Sequence, residues 1–158
     1  MQIRQATPSD AQTIHDMIVA LATFEREPDA VEVTVVQLAE QLAETSPPFE
    51  CIIASSAGQD VGFALYFYNY STWRGARGLY LEDLFVLPEC RGRGYGKQLM
   101  THLARRAVDR GCARMEWAVL DWNRDAMDFY ESIGAGPVHE WVPFRMADEA
   151  LARLAAED

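Results

Sequence analysis

The chain has 158 residues, of which 49% are hydrophobic, and a formal net charge of −10. This length and composition predict one folded domain, residues 1–158, rather than a disordered chain. Nucleic acid and anionic membranes attract cationic surfaces, so the charge argues against both as partners and fits a cationic ligand better. Three scattered cysteines (Cys51, Cys90 and Cys112) do not form a disulfide framework, and no spacing suggests a metal site. No signal-peptide core or membrane-spanning apolar stretch is visible, so we expect a cytoplasmic protein.

The first half of the chain predicts two helices between short strands. Thr7-Pro8-Ser9-Asp10 supplies a stop, a cap and an acid for a helix start. Apolar residues then recur at helical spacing, first over 10–24 and again over 34–42. Two later strands are joined by Ala57-Gly58-Gln59-Asp60, which predicts an antiparallel hairpin. The predicted elements are a strand at 3–6, helices at 10–24 and 34–42, and strands at 51–54 and 61–68.

The second half contains two strand–helix units and a terminal helix. Gly111 stands where a glycine cap would end the first helix, and Asn123 and Gly134 would bound the second. The predicted elements are strands at 79–87, 114–120 and 141–146, and helices at 96–110, 123–133 and 148–156. The order predicts an α/β fold with a mixed, mostly antiparallel sheet flanked by helices. A helical crossover joins the strands at 79–87 and 114–120, which should therefore be parallel.

The turn between strand 79–87 and helix 96–110 is rich in glycine and positive charge. Gly92, Gly94 and Gly96 lack the Cβ atoms that would keep a ligand from the backbone, and glycine permits positive φ. The first turn of a helix presents unpartnered N–H groups at the positive end of its dipole. With Arg91, Arg93 and Lys97 beside it, this turn suits a di- or triphosphate-like anion. It lacks the Gly-Lys-Ser/Thr ending of a nucleotide P-loop.

Two acids, Glu82 and Asp83, interrupt the apolar strand at 79–87. Because side chains alternate faces along a strand, they should point in opposite directions unless a bulge intervenes. A carboxylate inside a sheet is costly without a hydrogen-bonded or functional environment. One interpretation is an acid that bonds to a nearby loop at a strand end. The other is a carboxylate that accepts a proton from an amine or holds a cation.

Tyr130 also has two interpretations. It lies on the predicted inner face of the helix at 123–133, together with Ala126, Phe129 and Ile133. Most tyrosines in such positions are core residues with a satisfied hydroxyl. A phenol can also donate a proton to a leaving group.

Several motifs together resemble the GNAT (Gcn5-related) N-acetyltransferases, and most closely their spermidine/spermine (diamine) acetyltransferase branch. The resemblance covers nearly the whole chain and is strongest over 65–130. It implies the GNAT fold, with the pantetheine arm of CoA lying where strands 79–87 and 114–120 splay apart, and often a homodimer. The motifs are Tyr80-Leu81-Glu82-Asp83-Leu84-Phe85-Val86, Arg91-Gly92-Arg93-Gly94-Tyr95-Gly96, Trp122-Asn123, Asp128-Phe129-Tyr130 and Gly134-Ala135.

The resemblance also implies a role for individual residues. Glu82 would be the catalytic base acting through water, and Tyr130 would protonate the departing thiolate. Glu25, Asp83, Trp73 and Trp141 would line the channel for the amine substrate. The cofactor, acetyl-CoA, would contact Leu84, Phe85, Val86, Arg91, Gly92, Arg93, Gly94, Tyr95, Gly96, Lys97 and Asn123.

The chain departs from the polyamine enzymes at three places. Ser71-Thr72 replaces an acid and a proline, Phe24 replaces a tyrosine, and the segment before Trp141 holds one acid, Glu140, instead of two. A long polycation would lose contacts from these changes, so the predicted acceptor is a primary amine of a polyamine, a diamine or a lysine-like amino acid. The alternatives are acetylation of an aminoglycoside or a peptide N-terminus, or a non-catalytic acyl-CoA-binding regulatory module. The last would be marked by loss of Glu82, Tyr130 or the glycines, and all are present.

Overall fold

A mixed five-stranded sheet is the framework of the chain. The computed structural model describes residues 1–157, and its strands lie in the order β1-β2-β3-β4-β5. Neighbouring strands are antiparallel except β4 and β5, which are parallel. The sheet confirms the predicted α/β class, the hairpin and the parallel pair. The strands are β1 (Gln2–Gln5), β2 (Glu50–Ser56), β3 (Gln59–Ser71), β4 (Ala76–Val86) and β5 (Arg114–Glu116).

The described residues form five α-helices, whose ends follow local sequence signals. Thr34 caps α2 by accepting a hydrogen bond from the Gln37 backbone N–H at 3.2 Å, and the Gln37 side chain accepts one from the Thr34 backbone N–H at 2.9 Å. Asn123 caps α4, as predicted, through the Ala126 N–H. The helices are α1 (Ala11–Phe24), α2 (Val35–Ala43), α3 (Tyr95–Asp109), α4 (Arg124–Ser132) and α5 (Asp148–Ala155).

The sheet is covered on both faces. On one face, α1 and α2 pack on a buried cluster that includes Ile14, Phe63 and Leu65. On the other, Arg106 of α3 donates a hydrogen bond to the Tyr66 hydroxyl at 2.7 Å. Leu65 and Tyr66 are neighbours in β3, so their opposite surroundings reflect the alternation of a buried strand.

A bulge in β4 interrupts that alternation. Leu65 of β3 pairs with Asp83, but the next residue, Tyr66, pairs with Leu81. Glu82 is therefore the extra residue, and a bulge bends its strand and redirects nearby side chains. The two acids consequently do not follow the simple alternation of a regular strand, and Asp83 lies opposite a residue of the core cluster.

Strands β4 and β5 diverge soon after they pair. Their pairing covers only Gly78–Tyr80 on β4, and β5 ends at Glu116. The predicted strand over 114–120 is therefore wrong beyond Glu116, where the chain no longer pairs with β4. The predicted splay between these strands is confirmed, and it leaves one edge of β4 without a strand partner from residue 81 onward.

The chain divides into two compact units, Met1–Trp122 and Asn123–Asp158. The second unit contains α4 and α5, and none of its described residues is fully buried. The predicted strand at 141–146 is wrong, because this segment has no regular structure. Its apolar residues are exposed, Phe144 at 97% and Val142 at 74%. Apolar alternation alone does not make a strand, since a strand also needs a neighbour for its backbone hydrogen bonds.

Candidate functional site

The glycine-rich turn at the end of β4 leaves open space over its backbone. Gly92 and Gly94 have φ of 75° and 78°, a region that strongly favours glycine. A Cβ built at either position would have no described atom within 4 Å. Helix α3 starts at Tyr95, and its first bond runs from the Gln98 N–H to the Gly94 carbonyl at 3.1 Å. The preceding amides have no partner inside the helix, so they can bind an anion.

Two side chains hold this turn against the sheet. The Tyr95 hydroxyl donates a hydrogen bond to Ser56 Oγ at 2.9 Å, which ties the start of α3 to the end of β2. Arg91 Nε donates a hydrogen bond to the Val86 carbonyl at 3.0 Å. Arg91 is thus engaged in holding the turn, whereas Arg93 and Lys97 are exposed cations beside the open amides.

Three of the predicted acids interact in the first unit. Burial, and after it the charges of Glu82 and Glu25, raise the pKa of Asp83 to about 6. Burial also raises the pKa of Glu25, the residue that follows α1. Glu82 itself is exposed. The structure therefore groups Glu25, Glu82 and Asp83 as a negative cluster in which Asp83 titrates near neutral pH.

A guanidinium–aromatic stack runs beside these acids from the end of α1 to the glycine-rich turn. Arg26 lies 4.4 Å from the Trp122 ring centre, and the Trp122 and Phe24 rings are 6.0 Å apart. Arg91 lies 4.7 Å from the centre of Phe24 and 5.5 Å from that of Phe85. Cation–π contacts of this kind fix the orientation of both groups. Only Arg91 and Phe85 were assigned to the site from sequence, since sequence distance hides a contact between residues 26 and 122.

Trp73, which was predicted to bind the substrate, lies far from Asp83 along the hairpin of β3 and β4. It occupies the turn between β3 and β4 and is 86% exposed. Asp83 of β4 pairs with Leu65 of β3, and Leu65 lies six residues before Ser71, where β3 ends and the turn begins. That separation corresponds to roughly 20 Å along the hairpin. The structure therefore does not place Trp73 beside Asp83.

The second unit carries the remaining predicted residues. Asn123 Oδ1 accepts a hydrogen bond from the Ala126 N–H at 3.3 Å, so this side chain serves as a helix cap. Tyr130 is half-buried in α4, and its ring centre lies 5.2 Å from that of Phe129. Trp141 is 68% exposed in the irregular segment before α5.

The first unit contains two features with chemical consequences. The exposed backbone amides of the glycine-rich turn suit a phosphate, and the carboxylate of Asp83 can exchange a proton near neutral pH. Among residues 1–157, no group of three or more His, Cys, Asp or Glu side chains is placed to hold a metal ion. None of the described helices is both long and apolar enough to span a membrane. The site therefore suits proton transfer to or from a substrate beside a phosphate-bearing cosubstrate.

Comparisons with known proteins agree with this chemistry. Residues 12–135 match the model of the acetyltransferase (GNAT) family. A thialysine N-epsilon-acetyltransferase from Bos taurus is 39% identical over 169 residues, which cover 99% of this chain and 98% of that protein. An L-ornithine N5-acetyltransferase from Arabidopsis thaliana is 32% identical and covers 97% of this chain and 87% of its own. Among solved structures, an integron cassette protein from the mobile metagenome of V. cholerae has a TM-score of 0.82 and 28% identity, covering 99% of this chain and 98% of that one.

Proposed function

Since this chain belongs to the GNAT family of acetyltransferases, we propose that it moves the acetyl group of acetyl-CoA directly to a primary amine of a small cationic substrate. Amine N-acetyltransfer is the activity named for the Bos taurus and Arabidopsis thaliana relatives. The acceptor is a polyamine, a diamine or a lysine-like amino acid. The observation that carries the proposal is that Glu82 and Asp83 lie on β4 beyond its pairing with β5, and that the open glycine-rich turn follows the same strand.

The residues of the turn fit the linked phosphates of CoA. Positive φ at Gly92 and Gly94 and the open space over both let main-chain amides approach an anion closely. Arg93 and Lys97 add charge from the same turn. The free edge of β4 at Leu84, Phe85 and Val86 would hold the pantetheine arm, although the Val86 carbonyl already accepts a hydrogen bond from Arg91. Acetyl-CoA, when bound, supplies the thioester carbonyl that the amine attacks.

Transfer requires a neutral amine, and an alkyl amine has a pKa near that of lysine, about 10. We assign Glu82 as the base that removes the proton through a water molecule. Asp83 and Glu25 hold the cationic substrate, and a bound ammonium favours the ionised form of both. As the new C–N bond forms and the C–S bond breaks, Tyr130 gives its proton to the leaving CoA thiolate.

The acid cluster also predicts how amine binding depends on pH. With the pKa of Asp83 raised to about 6, its carboxylate is protonated in part of the molecules at pH 6 and in most at pH 5. Since the neutral acid attracts an ammonium group weakly, the KM for the amine should rise as the pH falls through this range.

The last part of the proposal concerns the number of domains, the oligomeric state, the cellular location and the partners of the protein. The family match runs across the boundary between the two units, which supports one catalytic domain over 1–158. We propose a homodimer in the cytoplasm with no nucleic-acid or membrane partner. The exposed apolar residues of the second unit support self-association, because large exposed apolar patches mark interaction surfaces. Sedimentation of the purified protein would test the homodimer, and a monomer at micromolar concentration would contradict it.

A panel of acceptors tests the central proposal. Release of CoA is measured at fixed acetyl-CoA with spermidine, putrescine, L-lysine, L-ornithine, an aminoglycoside and a short peptide. We expect turnover with at least one small amine and little with the aminoglycoside or the peptide. Turnover confined to either of those two would overturn the choice of acceptor. Binding of acetyl-CoA without turnover of any amine would point to a regulatory module instead.

A further inference from the structure

We propose that Arg26 binds the α-carboxylate of the acceptor and so makes the site selective for a lysine-like amino acid over a diamine. The inference rests on the proposed function and goes beyond it, because it assigns a specificity-determining residue. It depends on three features of Arg26: its backbone conformation, the ring beneath its guanidinium, and the acids beside it.

The backbone of Arg26 is unusual for a residue with a side chain. Helix α1 ends with the Arg26 N–H bonded to the Thr23 carbonyl at 3.2 Å and the Glu27 N–H to the Ala22 carbonyl at 2.9 Å. This is a Schellman motif, and its left-handed position normally holds glycine. Arg26 occupies that position with φ of 69°. Residues held in such disfavoured conformations cluster at functional sites, so the arginine needs an explanation beyond ending the helix.

The guanidinium of Arg26 is oriented but carries no counter-ion. Its guanidinium carbon lies 4.4 Å from the centre of the Trp122 ring, a contact that fixes the position of the charge without neutralising it. Among the ion pairs of residues 1–157, none involves Arg26. The side chain is also exposed. A planar guanidinium held on one face presents a fork of donors that matches a carboxylate.

Glu25, the residue before Arg26, has the opposite charge and belongs to the acid cluster that would bind the amine. Glu25 is half-buried, and its charge acts on Asp83 of the acid cluster. Glu25 and Arg26 therefore place a negative and a positive group side by side at the end of α1. An amino acid with a side-chain amine has an ammonium group and a carboxylate and fits both. A diamine carries a cation at each end, so Arg26 repels the second one.

Arg91 is less suited to this role. Its Nε is bonded to the Val86 carbonyl, and its guanidinium lies between Phe24 and Phe85. Those contacts commit it to holding the glycine-rich turn. Within the guanidinium–aromatic stack, Arg26 is the member whose charge is available to a ligand.

The test compares acceptors that differ only by a carboxylate. L-ornithine is paired with putrescine, and L-lysine with cadaverine. Steady-state kinetics are measured for the wild-type protein and for Arg26→Met, Arg26→Lys and Arg26→Gly. Arg105→Met is the matched control, since Arg105 is an exposed arginine on α3. Thermal unfolding of each variant is measured alongside, and Arg26→Gly should keep or gain stability because glycine suits the left-handed position.

In Arg26→Met and Arg26→Gly we expect the KM for the amino acids to rise roughly fivefold, the size of a moderately exposed charge pair. The KM for the diamines should stay the same or fall, and Arg26→Lys should restore part of the loss. Equal changes for both members of a pair would overturn the proposal. So would a raised KM for acetyl-CoA alone, which would assign Arg26 to the cofactor phosphates.

Failure of the proposed function gives a different result. If the wild-type protein acetylates neither these four amines nor spermidine, the acceptor class itself is wrong and the role of Arg26 falls with it. If the wild type acetylates the diamines but neither amino acid, the N-acetyltransferase remains and only the selectivity inference is refuted.

Discussion

Replacing Asp83 by asparagine should stabilise the protein at neutral pH and leave it unchanged in acid. Asp83 is half-buried opposite the core residue Leu65, close to the charges of Glu82 and Glu25. Burial and these charges disfavour its ionised form, so the folded protein holds a proton on Asp83 at pH values where the unfolded chain has released it. Asparagine has nearly the same shape and no charge to bury.

The size of the effect follows from the shift in pKa. The pKa of Asp83 is raised to about 6 in the fold, against about 3.9 in an unfolded chain. Each unit corresponds to about 1.4 kcal/mol, so ionised Asp83 costs at most about 3 kcal/mol. The free energy of unfolding should fall by about 1.4 kcal/mol per pH unit from about pH 4 to pH 6 and lose no more from this group above pH 6.

The assay is thermal unfolding of the wild type and of Asp83→Asn at pH 4.5 and pH 8. At pH 4.5 Asp83 is mostly neutral in the folded protein but mostly ionised in the unfolded chain, so about 1 kcal/mol of its cost is already present. At pH 8 the Tm difference between the variant and the wild type should exceed the difference at pH 4.5 by up to about 4–8 °C, the shift expected for the remaining ~2 kcal/mol in a domain of this size. Asp29→Asn, at an exposed position before α2, should show no such dependence on pH.

A Tm difference that is the same at both pH values would refute this reasoning. It would mean that the Asp83 carboxylate is solvated or paired in the folded protein, and that the pKa of this group is not raised. A gain at pH 8 accompanied by loss of amine binding would fit an acid that is kept at the cost of stability because it holds the substrate.

Three further substitutions test the proposed mechanism. Tyr130→Phe should lower kcat by at least about tenfold with little change in acetyl-CoA binding, because the phenol acts on the leaving thiolate; unchanged turnover in a stopped-flow assay would remove Tyr130 from the mechanism. Glu82→Gln should alter the acidic limb of the pH–rate profile, and an unaltered profile would assign deprotonation to solvent or to Asp83. Gly94→Val should abolish CoA binding in calorimetry, since a β-branched residue disfavours φ of 78° and fills the open space over the turn; retained affinity would place the cofactor elsewhere.

The elements that the sequence predicted well are those with local causes. The turn before α3 needs glycine at Gly92 and Gly94 for its positive φ, and the caps at Thr34 and Asn123 act within a few residues. The periodicity of α1 and α3 depends on burying one face of a helix. The motif at 80–86 and the glycines after it were also enough to identify the family, which the comparisons confirm.

The arrangement of the candidate site depends on contacts between distant residues. The pattern at 141–146 has the alternation of a strand, yet strand formation depends on a partner that a local pattern cannot specify. Whether Glu82 and Asp83 share surroundings depended on the register of β4 against β3, which a single extra residue changes.

Sequence by itself therefore determined the glycine-rich turn, the acids and the family, because residue type and short spacing suffice for each. Tertiary structure alone decided that Asp83 is the half-buried acid with a pKa of about 6 and that Glu82 is exposed. It also decided that Arg26 lies on Trp122. Both outcomes depend on burial and on contacts across many residues, and these exist only once the chain has folded.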